Sequence, residues 1–115
     1  MRLYLSAKKK CNFTSESKLE YNIHYLMNYS SQLSSAVYIR VYYYNASGTE
    51  QSNYDTISDI FSGKSSDGVK TFAGTLTLSK CSSDYTYYRI ALYTTSDDFK
   101  NYCYLKDIVV KEKVV

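Results

Sequence analysis

The chain has 115 residues, 44% of them hydrophobic and 22% charged, with a formal net charge of +3. This length supports one domain, residues 1–115, and the hydrophobic fraction excludes a disordered chain. No segment nears the roughly 18 apolar residues that span a bilayer, and Met1 to Lys10 has no apolar stretch followed by a small-residue cleavage site. Neither membrane insertion nor a signal peptide is therefore expected.

Residues 1–18 read as a short first strand, Leu3-Tyr4-Leu5, and a polar loop from Ser6 to Lys18 with Phe13 as an anchor. The run Lys8-Lys9-Lys10 reads as a solvated turn, too short to hold a polyanion by itself, and no nucleic-acid-reading motif accompanies it. Leu19, Tyr21, Ile23, Tyr25 and Met27 then alternate with Glu20, Asn22, His24 and Asn28, with Leu26 the exception. Period two over that length predicts a strand with one face on a core. After a turn at Ser30 to Ser35, Val37, Ile39 and Val41 point inward and Tyr38, Arg40, Tyr42 and Tyr44 outward. Asn45-Ala46-Ser47-Gly48 closes that strand, because Asn and Gly accept positive φ.

Gln51 to Phe61 fits either a short helical turn carrying Ile57, Ile60 and Phe61 or a distorted strand, and Ser62 to Gly68 is a loop. Phe72, Gly74, Leu76 and Leu78 alternate with Thr71, Ala73, Thr75 and Thr77. Past a turn at Lys80 to Asp84, Tyr88, Ile90 and Leu92 face inward, opposite Tyr87, Arg89, Ala91 and Tyr93. Thr94 to Lys100 is a polar loop. The last strand spans Asn101 to Lys113, and its alternation changes phase near Lys106-Asp107, which predicts a β-bulge. Strands of this number and spacing predict an all-β fold, an antiparallel jelly-roll-type β-sandwich of about seven or eight strands.

Cys11, Cys81 and Cys103 are odd in number and lack metal-site spacing, which argues against a disulfide framework. Three reduced thiols fit assembly in a reducing cytosol, with one bridge plus a free thiol as the alternative, and Cys103 reads as a small core residue. His24 is the only histidine and no serine sits in a nucleophile elbow, so no catalytic set is read. Ser62-Gly63-Lys64-Ser65 imitates the end of a phosphate-binding loop, but Ser58 occupies the place of the required first glycine. Asp67, Asp84, Asp97 and Asp98 fall in turns and loops, where solvation accounts for them.

The order of these strands resembles the carbohydrate-binding-module type of jelly roll found beside glycoside hydrolases and in bacteriophage tail proteins. The resemblance covers about Lys18 to Lys113. It rests on the alternating strand Leu19 to Tyr25, and on the run Val37 to Tyr44 with its Asn45-Ala46-Ser47-Gly48 turn. It rests further on Phe72 to Leu78, Tyr88 to Tyr93, and the late Asp107 before Ile108-Val109-Val110. The chain departs from the family in lacking tryptophan. The resemblance implies a glycan-binding face and, at Asp107, a structural calcium ligand; a hydrogen-bonded bulge residue is the other reading of Asp107.

Fifteen tyrosines and the outward rows give a candidate contact surface: Asn22 and His24, then Arg40, Tyr42 and Tyr44, then Tyr87, Arg89 and Tyr93. Tyrosine rings stack on a ligand while their hydroxyls stay wet. Cross-strand packing of the same rings is the structural alternative. Rich Tyr, Ser, Lys and Asn without proline or tryptophan also marks AT-rich coding, as in viruses and low-GC bacteria. The expected function is a non-enzymatic virion module of a bacteriophage, decorating a capsid or forming part of a tail or fibre. It would be assembled in the host cytoplasm as a homo-oligomer or on a lattice. Its partners would be other virion proteins, and no cofactor is required. The alternative is a lectin-like module that recognises cell-surface polysaccharide.

Overall fold

Wherever the sequence alternates with period two, the backbone is extended. The computed structural model describes residues 1–113. Its strands are β1 (Arg2–Tyr4), β2 (Lys9–Lys10), β3 (Lys18–Met27), β4 (Leu33–Tyr44) and β5 (Glu50–Gly63), then β6 (Lys70–Thr77), β7 (Tyr87–Tyr93) and β8 (Cys103–Glu112). A short helix, α1 (Asp97–Tyr102), lies between β7 and β8. All pairings are antiparallel. The larger sheet runs β1-β7-β4-β5, with β2 also paired to β7, and the smaller runs β6-β3-β8.

The inward rows of both sheets meet in one sandwich-like core. Leu19, Tyr21, Ile23, Tyr25 and Met27 of β3 face Val37, Ile39, Val41 and Tyr43 of β4, with Ile90 and Leu92 beside them. Phe61 is fully buried at the centre. It stacks on Tyr25 with ring centroids 4.1 Å apart, and it also meets Phe72 and Phe99. Gly74 lies opposite Tyr21 in the register, and a Cβ there would fall 2.5 Å from the tyrosine hydroxyl. The missing side chain lets the Tyr21 ring lie flat against β6.

Several features differ from the sequence reading or sharpen it. The first strand begins one residue earlier, and the polar loop contains β2, which borrows its partner from β7. The start of β4 absorbs Leu33 to Ser35, expected in a turn. Gln51 to Phe61 is strand throughout, within β5. The Thr94 to Lys100 loop contains the start of α1, whose Phe99 plugs into the core. The predicted bulge is present: His24 pairs with Asp107 and Tyr25 with Leu105, so Lys106 is the extra residue.

This architecture buries one carboxylate, Asp55, beside the core. It sits on the inward side of β5, opposite Val41, and is 3% exposed. Among the described residues no cation pairs with it; hydrogen-bond donors surround it instead. The Tyr43 hydroxyl donates to it at 2.6 Å, the Lys80 amide at 3.0 Å, and the Ser79 hydroxyl at 3.4 Å. Burial, reinforced by Asp55, pushes the Tyr43 phenol far above its ordinary value. This carboxylate ties the β4–β5 hairpin to the turn that leaves β6. Asp55→Ala should therefore destabilise the protein by about 2–4 kcal/mol, because it strands a buried hydroxyl and amide. Urea unfolding measures this; a change under about 0.5 kcal/mol would show that the network carries no stability.

Candidate functional site

Residues paired across neighbouring strands share a face of the sheet. On the outer side of the larger sheet this places Arg2, Tyr93, Tyr38 and Ser58 in one row, and Tyr4, Ala91, Arg40 and Thr56 in the next. Arg89, Tyr42 and Tyr54 form a third row, and Tyr87, Tyr44 and Glu50 a fourth. Seven of the fifteen tyrosines and all three arginines of the chain are gathered here.

Each arginine lies on tyrosine. The Arg2 guanidinium carbon is 3.8 Å from the Tyr42 ring centre, and that of Arg89 is 3.6 Å from Tyr4. Arg40 lies 4.0 Å from Tyr93, 4.5 Å from Tyr54 and 5.1 Å from Tyr38. Lys8 adds an ammonium 4.4 Å from Tyr44. A cation over a ring contributes about 0.5–1 kcal/mol when exposed and about 2 when desolvated. Ala91, fully buried between Tyr4 and Arg40, leaves the depth these long side chains need.

Among the described residues the one ion pair these four cations make is Arg2 with Glu50, a two-pronged contact at 2.5 and 3.0 Å. Arg40 has no carboxylate partner, and its Nε is buried without a hydrogen bond. Four cations against one carboxylate leave this face a formal charge of 4 − 1 = +3, equal to that of the whole chain. Chemically the face offers ring surfaces, phenol hydroxyls and guanidinium donors without a neutralising acid. That set suits a partner bearing hydroxyls or negative charge.

The structure divides the residues that the sequence singled out. Arg40, Tyr42, Tyr44, Tyr87, Arg89 and Tyr93 share this face. Asn22 and His24 do not: they lie on the outer side of the smaller sheet, across the core, because β3 belongs to the other layer. Tyr42, only 1% exposed, and Tyr44 form a small buried cluster with Ala91, lying under Arg2 and Lys8, so their rings are covered. The accessible members the sequence reading missed are Tyr4, Tyr54 and Arg2. Tyr54 was hidden in the ambiguous stretch. Arg2 and Tyr4 flank Leu3 with strand spacing, but nothing local shows that they pair with β7.

On the smaller sheet, His24 Nδ1 is 3.4 Å from Asp107, and the Asp107 side chain is 77% exposed. Among the described residues no group of three or more His, Cys, Asp or Glu side chains could hold a metal ion. A calcium site needs six to eight oxygen ligands, so Asp107 beside a histidine does not fit one. A cleft of about 460 Å³, lined in part by Lys9, Lys10, Phe13, Ile108 and Lys111, opens between the β2 and β8 sides of the two sheets. Compared with known proteins, the chain matches no family model, no curated protein and no solved structure. The site therefore stands on its own geometry.

The Arg2 contact carries a pH dependence. The hydrogen bonds from Arg2 hold Glu50 below the usual carboxylate range and hold Arg2 above its own. A depressed carboxylate stabilises the fold above its unfolded pKa, and the effect is lost as pH falls through its folded pKa. The Glu50 carbonyl-carbon NMR titration should midpoint below about 4.3, the free glutamate value. Arg2→Ala should return it to that value. A wild-type midpoint at or above it would contradict the contact.

Proposed function

We propose that this chain is a non-enzymatic interaction module of a bacteriophage virion, a capsid decoration or a tail or fibre component. Its contact surface is the outer face of the larger sheet. The observation that carries the interaction reading is the Tyr/Arg lattice: a flat, ring-rich, cationic face whose arginines are held on tyrosines and left with a single acid among them. Interfaces are enriched in tyrosine and arginine for these physical reasons. The virion placement is supported by the AT-rich composition, by cysteine usage that fits cytosolic assembly, and by the resemblance of the strand pattern to modules of phage tails. The fold is read as a jelly roll. The chain changes sheets between β2 and β3, β3 and β4, β5 and β6, β6 and β7, and β7 and β8; only β4 and β5 form a hairpin within one sheet.

The charge of the face constrains how copies would assemble. Two such faces placed against each other would set +3 against +3, and like charges in contact are unfavourable. Contacts between copies are therefore head-to-tail, or the face meets a different virion protein with an acidic surface. The second reading is a module recognising cell-surface polysaccharide. It is favoured by Tyr4 and Tyr54, which keep more than a third of their surface exposed beside Arg89 and Arg40.

Sedimentation velocity of the full chain, combined with titration against a polysaccharide panel followed by tyrosine fluorescence, separates the readings. The first expects concentration-dependent assembly, lost in Arg40→Ala and Tyr54→Ala. Saturable glycan binding by a monomer, lost in the same variants, would replace it with the second. A monomer indifferent to every glycan tested would contradict the second reading and the head-to-tail form of the first.

A further inference from the structure

All three cysteines are free, and two of them meet: Cys11 Sγ lies 3.8 Å from Cys81 Sγ. Cys11 follows β2 and is half-buried; Cys81 is buried in the turn after β6. A disulfide needs about 2.05 Å between the sulfurs, so the pair must close by less than 2 Å, roughly the play of two turns. Neither cysteine lies inside a strand. The Cys11 amide donates to the Thr86 carbonyl at 2.8 Å and the Cys81 amide to the Leu78 carbonyl at 3.0 Å. Closure therefore comes from side-chain rotation and small shifts of the two turns, at the loss of the 3.4 Å contact from the Cys81 thiol to the Phe13 carbonyl.

We propose that Cys11 and Cys81 are an oxidation site, forming an intramolecular disulfide that fastens the N-terminal segment to the body of the fold. That segment is lightly held. β1 pairs through three residues and β2 through two, and residues Met1 to Lys10 are mostly exposed. Yet it supplies Arg2, Tyr4 and Lys8 to the outer face of the larger sheet. A covalent link at residue 11 fixes the position from which those three side chains reach the lattice.

The chemistry balances with a small-molecule disulfide such as oxidised glutathione. The Cys11 thiolate attacks one sulfur of the oxidant, and one glutathione thiolate leaves. Cys81 then loses its proton and attacks the Cys11 sulfur of the mixed disulfide, releasing the second glutathione. The protein loses two protons and two electrons, and the oxidant becomes two thiols. Cys11 is the natural first attacker because it is the more accessible, while burial pushes the Cys81 thiol up to about 11. Cys103 is set apart: it packs against the core from the start of β8, and burial raises its thiol to about 12. A chain assembled reduced would acquire the bridge on reaching an oxidising exterior.

The test is oxidation of the folded full-length chain with oxidised glutathione at mildly alkaline pH. Titratable thiols should fall from three to one, with peptide mapping giving a Cys11–Cys81 link and an unmodified Cys103. The thermal midpoint should rise by about 10 °C, as expected for closing a long loop. Cys11→Ser should abolish the rise, and Cys103→Ser should keep it. Three free thiols after oxidation, mixed disulfides that never resolve, or a bridge to Cys103 would each overturn the proposal. The wild-type peptide map decides the matter even where a variant folds poorly.

Discussion

A pleated sheet has two faces, and the larger sheet of this protein has a packing layer on only one of them. Its inner face is covered by β3, β6 and β8. Its outer face has no sheet or long helix above it, yet Tyr42 and Tyr44 on that face are buried. The cover is made by side chains of the face itself and by the N-terminal segment: arginine and lysine stems laid over tyrosine rings. Long cationic side chains can shield apolar surface while keeping their heads in water. The character of the exposed face, the docking of residues 1–10 and the placement of every arginine all follow from this arrangement.

Cation–ring packing also explains why so much like charge is tolerated on one side. Arg40 is surrounded by Tyr38, Tyr54 and Tyr93, whose ring faces are electron-rich and take the place a carboxylate would hold. Neutralisation is incomplete by design of the register, since only Glu50 brings an acid into the rows. The face is therefore ordered by its own side chains and keeps uncompensated positive charge, as the proposed contact role requires. The thiol pair at Cys11 and Cys81 stands where the covering segment joins the core, away from the outer face of the larger sheet.

Alternation made β3, β4, β6 and β7 legible, because each has one row on the core and one on the outer side of its sheet. The bulge at Lys106 was legible for the same reason: a phase change in the alternation can only mean an unpaired residue. β5 was not, because its inward row contains Asp55 and Asp59, charges that break the apolar pattern on an edge strand. Asp55 is satisfied by Tyr43 and the Lys80 amide, neither of which is near it in sequence. α1 was hidden because six residues with one buried Phe99 offer no helical period. β2 has two lysines and no apolar row at all; it is a strand only because β7 has a free edge. The candidate site was half-legible. Its outward rows could be read from β4 and β7, but which strands are neighbours is a property of topology, and that is why Asn22 and His24 were grouped with residues on the opposite side of the core.

The account rests on arginine and tyrosine holding each other on the exposed side of the larger sheet. A double-mutant cycle on Arg89 and Tyr4, the closest such pair at 3.6 Å, measures that directly. Unfolding free energies of the wild type, Arg89→Ala, Tyr4→Ala and the double variant should give a coupling of about 0.5–1 kcal/mol in favour of the pair. Strict additivity of the two substitutions would contradict it.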